Sequence, residues 1–204
     1  MSTKNKMFKF NVKNVKYAVK NGAGYGTVKE LAYAESLSLE ADYNETKLFG
    51  DGQILAILGD DKGKTGTLGV INIEDHYEID MGRAKQIEGG IADIQQRHSI
   101  DHAIYYEIEA LVEGDVITIK NWLYGCITGK ANETYEQTKD DPTINTYEYM
   151  LSVLGKNLKD ETGTEDYVDE NGNKVKVFRL TAYPDDTGYE TFEDAVPVTK
   201  LEGV

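Results

Sequence analysis

One glycine-bounded segment has some features of a phosphate-binding loop. It runs Gly59-Asp60-Asp61-Lys62-Gly63-Lys64-Thr65 and follows an apolar run that ends at Leu58. A phosphate-binding loop needs four residues between its glycines so that backbone amides surround the phosphates, but only three stand here. Two of these three are aspartates, which would repel phosphate, and the residues that follow favour a helix poorly. Nucleotide binding is therefore not predicted.

Histidine and carboxylate groupings predict no metal site either. His98 and His102 have the i, i+4 spacing that binds metal on a helix, but His102 begins a predicted strand, so we expect both side chains to be solvated. The segment Asp169–Asn173 resembles part of a calcium loop, but its first and twelfth ligand positions would be Tyr167 and Phe178. We expect no metal and no cofactor.

The sequence offers no catalytic constellation. Cys126 is the only cysteine, which excludes an internal disulfide, favours a reducing compartment and predicts a small buried residue. Acidic residues are abundant, but none lies in an apolar setting that would raise the pKa of its carboxyl group. We therefore expect the protein not to be an enzyme.

Charge is distributed unevenly along the 204 residues. The net charge is −14, although residues 1–29 contain seven lysines and no acid, whereas residues 159–204 carry a net −7. Nucleic-acid recognition is disfavoured because most of the chain would repel phosphate. The basic and acidic ends are expected either to attract each other across a subunit contact or to be solvated. No apolar run approaches the roughly 20 residues of a membrane span, so no membrane association is expected.

The segment His102–Gly125 predicts the central element, a β-hairpin that turns at Gly114-Asp115. This turn pairs Val112 with Ile117 and Glu109 with Lys120. One face of the hairpin is then apolar, and the other carries aromatic and charged side chains. A shift of one residue would mix the two faces, so the alternation favours this register.

The remaining elements complete the expected fold. Asp75–Gln86 predicts a helix with Asp75 as its N-cap, and Tyr167–Leu180 predicts a hairpin that turns at Asn171-Gly172. The fold class is therefore mainly β: an antiparallel β-sandwich with one flanking α-helix, extended loops and terminal arms. We expect a single domain over 1–204, with a basic N-terminal arm and first strand (1–29), a candidate assembly loop (44–66) and an acidic C-terminal hairpin and tail (159–204).

Several short blocks, taken in their order along the chain, resemble the major tail protein of long-tailed, non-contractile bacteriophages. The blocks are Asn14–Val19, Glu35–Leu39, Leu48–Gly52, Gly66–Val70, Tyr105–Glu107 with Lys120–Gly125, and Phe192–Val196. The resemblance covers most of the chain. The segment Gln86–Ser99 is longer than the resemblance leads us to expect and does not match it well. It implies a β-sandwich that assembles into homohexameric rings, which stack as a ring-shaped β-barrel tube through which double-stranded DNA passes. The implied partners are further copies, tape-measure, tail-terminator and tail-tip proteins, and the implied location is the virion tail, assembled in the bacterial cytoplasm.

Two groups of residues are expected to serve such assembly. The apolar side chains of the loop are hard to bury within one sandwich, so we interpret the loop as an arm that binds a neighbour; the alternative is an ordinary core strand. They are Leu48, Phe49, Ile54, Leu55, Ile57 and Leu58. An acidic lumen would let DNA slide, and Glu107 and Glu109 are the residues expected to line it. A different class, a sugar- or protein-binding β-sandwich that uses exposed tyrosines, remains the alternative.

Overall fold

The computed structural model describes residues 7–31, 33–133 and 146–202, most of which lie in strands. In chain order the elements are β1 (Met7–Asn21), β2 (Gly24–Tyr25), β3 (Lys29–Glu30), β4 (Ala34–Gly50), β5 (Gln53–Val70), α1 (Asp75–Asp80), β6 (Ala84–Ile87), β7 (Gly90–Asp93), β8 (His102–Val112), β9 (Asp115–Thr128), β10 (Tyr147–Val153), β11 (Lys156–Asn157), β12 (Lys176–Val177) and β13 (Arg179–Ala182). These strands pair antiparallel throughout. The predicted class, mainly antiparallel β with one helix among the described residues, is confirmed.

One large sheet folds over to enclose the main core. Its strand order is β2-β1-β8-β9-β10-β5-β4, with β3 also paired to β1 and β13 to β9. Val12 on β1 and Leu37 on β4 lie far apart in this order, yet both pack against the same cluster, which includes Leu68, Ile104 and Tyr149. The two ends of the sheet therefore face each other across a shared apolar layer, as in a sandwich.

The central hairpin forms from β8 and β9, but its predicted register is wrong by one pair. The turn lies at Glu113-Gly114, where both residues have positive φ (52° and 101°), as a type I′ turn requires. Glu107 consequently pairs with Lys120, and Glu109 with Thr118. Moving the turn by one residue shifts the paired positions by two, so each side chain stays on its face. The alternation excludes only odd shifts and could not distinguish these two registers.

Strand β9 changes its partner along one edge at Gly125. Its earlier residues Lys120–Leu123 pair with β13, whereas Cys126–Thr128 pair with β10. Gly125 has a φ of +62°, and a Cβ atom there would lie 2.4 Å from the backbone oxygen of Gly155. Only glycine accommodates both the left-handed backbone and this close crossing.

The helix is much shorter than predicted. It covers Asp75–Asp80 after Glu74 as N-cap, and Gly82 then adopts a φ of +69° that ends the helical path. The rest of the predicted helix forms β6, which pairs with β7 as a small hairpin. Tyr77 and Met81 still face the core as the spacing suggested.

A buried ion pair fixes α1 and β6 against the sandwich. The Arg83 guanidinium donates from Nε and Nη2 to the two carboxylate oxygens of Glu78, at 2.9 Å each. Its Nη1 donates to the backbone oxygens of Thr128 (3.0 Å) and Gly129 (2.8 Å). The guanidinium carbon also lies 5.2 Å and 5.3 Å from the ring centres of Tyr77 and Tyr149. With its charge paired and most of its donors used, Arg83 can remain ionised in the interior.

The ion pair continues into an ordered chain of hydrogen bonds that ends at His102. Arg83 donates to Thr128 Oγ1 (3.1 Å), which lies 2.8 Å from the Tyr77 hydroxyl; this hydroxyl lies 3.1 Å from His102 Nε2. His102 Nδ1 lies 3.0 Å from the oxygen of Ile100, so Nδ1 carries the proton and Nε2 accepts. Burial lowers the pKa of His102 to about 4, so the expectation of a solvated histidine is wrong at this position.

The other face of the β8–β9 hairpin is covered by the C-terminal segment (183–199). Its cluster contains Tyr105, Trp122 and Tyr124, against which Phe192 and Val196 pack. Trp122 donates its indole N–H to the oxygen of Phe192 at 2.7 Å. The tail expected in 159–204 is therefore docked on the sheet.

The hairpin predicted for Tyr167–Leu180 forms only near its turn. Val168 and Lys174 make one bridge around Asn171-Gly172, whereas β12 pairs with β11 and β13 pairs with β9. The turn residues were therefore predicted correctly. The rest of the segment pairs with strands that are more distant in the sequence instead of with itself.

Replacing Arg83 by Met should lower the free energy of unfolding by about 3 to 5 kcal/mol, because Glu78 is left as an unpaired buried charge. The double variant E78Q/R83M should lose less than R83M alone. Urea unfolding of both proteins measures the difference. K85M, at an exposed neighbouring lysine, should change stability by no more than about 0.5 kcal/mol. A loss for R83M as small as that of K85M would contradict the role of the ion pair.

Stability should also fall in mild acid because of His102. The unfolded chain binds a proton near the ordinary pKa of 6.5, whereas the folded protein does so only near 4. The contribution is therefore fully present above about pH 6.5 and decreases as the pH falls towards 4, by about 2 kcal/mol at pH 5. Urea unfolding at pH 7.5 and pH 5 measures this change. H102Q should remove most of it and H98Q, at an exposed histidine, should retain it; equal pH dependence in the two variants would refute the assignment.

Candidate functional site

The candidate assembly loop is a β-hairpin that extends beyond the sheet. Strand β5 pairs with β10 from Val70 to Lys64, whereas from Gly63 to the tip it pairs only with β4. We call residues 42–63 the arm. Its two strands contain nine (42–50) and eleven (53–63) residues, so the arm spans about 30 Å at about 3.3 Å per residue. The prediction of an irregular loop was wrong because a glycine-rich, two-sided apolar ribbon lacks the alternation of a half-buried strand.

The arm exposes large apolar side chains on both of its faces. The exposed fraction runs from 47% for Leu48 to 71% for Leu55, and the other members are Phe49, Ile54 and Ile57. Ile54 and Leu55 are consecutive residues of β5, and because successive side chains of a strand point to opposite faces, both faces of the arm carry an exposed apolar side chain. None of these five side chains belongs to either core cluster. The core-strand alternative therefore does not describe them; the side chain of Leu58 lies outside the described part of the structure.

Gly63 allows the arm to leave the sheet. Its φ is +118°, and a Cβ atom there would lie 2.1 Å from the backbone oxygen of Val153. The Gly63 N–H donates to Asp61 Oδ1 at 3.0 Å, which closes a local turn. The segment Gly59–Thr65, considered above for phosphate binding, thus lies in strand β5 at the base of the arm.

The arm is acidic as well as apolar. It contains five acidic residues and two lysines. One lysine, Lys47, lies 3.3 Å from Glu45 in an exposed ion pair that contributes little to stability. A surface that receives the arm should therefore combine apolar contact with positive charge.

A second exposed apolar surface lies on the sheet near the β8–β9 turn. Phe8 on β1 pairs with Leu111 on β8, which pairs in turn with Val116 on β9. Phe8 is 74% exposed, and Leu111, Val116 and the nearby Phe10 are also exposed. We call these four residues the apolar row. Strand β1, which carries Phe8 and Phe10, contains four lysines and no acidic residue, and three of these lysines form ion pairs within the chain.

Glu107, expected to line a lumen, does not face open solvent in the single subunit. The residue is buried, and its Oε1 accepts hydrogen bonds from Asn14 (2.7 Å) and the Tyr105 hydroxyl (2.8 Å). Glu109 is partly exposed, but it accepts from Lys13 (2.6 Å) and Asn11 (3.0 Å), and these hydrogen bonds lower the pKa of its carboxyl group. The C-terminal segment that docks on this face of the hairpin contributes to the burial of Glu107.

The basic first strand and the acidic tail meet within one chain. Glu193 accepts from Lys16 at 2.5 Å and from Lys120 at 3.2 Å, and also from Asn14 at 3.2 Å. These hydrogen bonds, that from Lys16 foremost, lower the pKa of Glu193 to about 2. Sequence reasoning missed Glu193 as a fastening residue. The opposite charges of the two ends indicated attraction, but the sequence did not show that the attraction is intramolecular here.

The residues considered for metal or nucleophilic chemistry have structural surroundings. His98 is exposed on a loop while His102 is buried, and Cys126 is a buried thiol whose pKa is raised by burial. Asp169 Oδ1 accepts the backbone N–H groups of Asn171 (2.9 Å) and Asn173 (2.8 Å), so it holds a turn. Among the described residues, no group of three or more histidine, cysteine or acidic side chains could hold a metal ion. No helix in this part of the chain is long and apolar enough to cross a membrane.

A scan against models of protein families finds no match, and a search of curated proteins finds no similar sequence.

The arm should contribute almost nothing to the stability of a single subunit. I54S/I57S should change the free energy of unfolding by less than about 1 kcal/mol, because both side chains are already half in water. L68A, in the core, should cost about 2 to 5 kcal/mol. Urea unfolding at low protein concentration compares the two. A core-sized loss for the arm variant would mean that the arm packs against its own subunit.

Proposed function

We propose that the protein is a self-assembling structural subunit, and specifically the tail-tube subunit of a long-tailed, non-contractile phage. Copies would form hexameric rings that stack into a conduit for double-stranded DNA in the virion tail, assembled in the bacterial cytoplasm. The observation that carries the proposal is the arm, a two-stranded ribbon with apolar side chains on both faces and no cover from its own core. An isolated ribbon of this kind is marginally stable in water, so contact with a partner should stabilise it.

The size of the arm favours a closed ring over a simple pair. Covering five side chains that are about half exposed gains about 5 kcal/mol in total, at about 1 kcal/mol each. Association costs an estimated 4 to 15 kcal/mol in lost motion, so one arm contact alone is too weak to hold two subunits together. In a ring each subunit inserts its arm into one neighbour and receives the arm of the other. The contact that closes the ring joins subunits that are already connected, so it costs no further translational and rotational freedom. Stacking would add axial contacts.

The apolar row is a surface among the described residues that suits the arm. It presents exposed Phe8 and Phe10 on either side of Lys9, the one lysine of β1 without an ion pair among the described residues, whereas the arm carries a net charge of −3. Apolar contact and opposite charge thus coincide on the two surfaces. Because they are different patches of one molecule, their contact is head-to-tail, as ring closure requires.

The lumen and the other partners follow from the tail-tube role. Tape-measure, tail-terminator and tail-tip proteins would contact the tube interior and its ends. An acidic channel would keep DNA from adhering. Glu107 is too deeply buried to supply that charge, so the acidic lining would come from other exposed carboxylates.

The alternative of a tyrosine-based binding module has less support. Six tyrosines, including Tyr77, Tyr105 and Tyr149, are fully buried, and among the described tyrosines only Tyr33 and Tyr43 are exposed. Tyr43 lies on the arm, close over Gly59. The exposed tyrosines therefore do not form the aromatic patch that such a module would need.

The proposal predicts that concentrated protein forms rings or tubes, visible by negative-stain microscopy and as a concentration-dependent sedimentation coefficient. I54S/I57S, in the arm, and F8S/L111S, in the apolar row, should each remain monomeric. A mixture of the two variants should also form no ring, because each pair keeps only one intact arm and one intact row, and a single arm contact is too weak to hold two subunits together. I87S, at an equally exposed isoleucine outside both surfaces, should assemble normally.

Two results would contradict the proposal. One is a wild-type protein that stays monomeric at every concentration and forms no tube with tail-tip or tape-measure proteins. The other is normal assembly of I54S/I57S, which would show that the arm is not the binding surface. If I54S/I57S fails to assemble but F8S/L111S assembles normally, the ring proposal stands and the arm binds a surface other than the apolar row.

A further inference from the structure

A lysine-rich cleft lies where the end of β1 meets β11 and β12. It has a volume of about 420 Å³, which is in the range of small-molecule sites. Its charged lining residues are Lys20, Lys156, Lys159, Lys176, Asp101 and Asp166. This concentration of cations is unexpected in a chain with a net charge of −14.

The two aspartates of the cleft are already engaged by lysines. Asp101 Oδ2 accepts from Lys20 at 2.6 Å, and Asp166 accepts from Lys159 and Lys174 at 2.8 Å each. The described residues provide no ion pair for Lys156 or Lys176. The cleft therefore has an excess of positive charge that the surrounding protein leaves unbalanced.

Lys156 is the most constrained of these cations. It is half-buried, and its Nζ lies 5.0 Å from the ring centre of Tyr25, whose face stabilises a cation weakly. Burial, together with repulsion by Lys159 and Lys20, lowers the pKa of Lys156. Repulsion among like charges would be relieved by an anion placed between them.

We propose that this cleft binds a phosphate-type oxyanion through Lys156 and Lys176. Lysine binds phosphate as a point charge, and two unpaired ammonium groups at one cleft can neutralise a dianion. Lys20 and Lys159 each donate to one of the two aspartates, which reduces the repulsion between these carboxylates and the ligand, while Asp101 Oδ1 is buried without a hydrogen-bond partner among the described residues. The phosphate could be a free ion or a group of a nucleotide chain, and both sources share this chemistry. The site is separate from the arm and the apolar row, so it does not depend on the assembly proposal.

Inorganic phosphate is the first probe, added to the full chain at pH 7 and low ionic strength. Titration calorimetry should show saturable binding at one site, and amide NMR shifts should concentrate around Gly155–Asn157 and at Lys176 and Val177. K156Q and K176Q should each weaken binding about tenfold, because a hydrogen bond to a charged group contributes about 1.5 kcal/mol or more. K85Q removes the same charge from an exposed site outside the cleft and should leave the affinity unchanged.

A short DNA duplex separates the two sources of phosphate. Binding of duplex that K156Q and K176Q weaken more than K85Q would identify the nucleic-acid backbone as a source, whereas binding of inorganic phosphate alone would identify a small ligand. The site is refuted if inorganic phosphate does not saturate, or if both cleft variants bind it as tightly as K85Q. Lys176 is exposed, so K176Q keeps the test valid even if K156Q fails to fold.

Discussion

The fold depends on one constraint, which is that both faces of the β8–β9 hairpin must be covered by protein. Its inward face joins the core enclosed by the folded sheet and α1, and its outward face carries Trp122 and Tyr124 under the C-terminal segment. A sheet with two apolar faces cannot leave either one in water without losing about 25 cal/mol for each Å² of apolar surface. The long path of the chain back to this hairpin, from β10 through β13 to Phe192, follows from that requirement.

Polar interactions hold in place the short helix and the C-terminal tail, which apolar packing alone would not fix. On the inward face, the Glu78–Arg83 pair and its hydrogen bonds hold a six-residue helix that is too short to be stable alone. On the outward face, Glu193 fastens the acidic tail to Lys16 and Lys120. Both devices concentrate charge inside the subunit. Neither device covers the arm or the apolar row, and these two exposed apolar surfaces are the basis of the assembly proposal.

The sequence could be interpreted wherever local chemistry decides the structure. The alternation in β8 and β9 identified their faces, and the apolar run in 48–58 identified a segment unsuited to a small core. The alternation of side chains could not identify the register, because a turn at Glu113-Gly114 and a turn at Gly114-Asp115 place each side chain on the same face of the hairpin. The burial of Glu107 depends on Asn14, which the pairing of β1 with β8 brings to it, and that of His102 depends on Tyr77 of α1. Neither partner is close in sequence. The lysine cleft likewise joins residues more than a hundred positions apart, and no local pattern indicates it.

The separation of the arm from the core has an evolutionary consequence. A mutation in a core residue such as Leu68 is filtered first by folding, because it disturbs a packed layer. A mutation in Ile54 or Leu55 leaves that layer intact, so folding imposes almost no selection on it. The arm can therefore diverge quickly between lineages while the sandwich changes slowly. Selection on its sequence would come almost entirely from the surface that receives it, so that arm and receiving surface would be expected to change together.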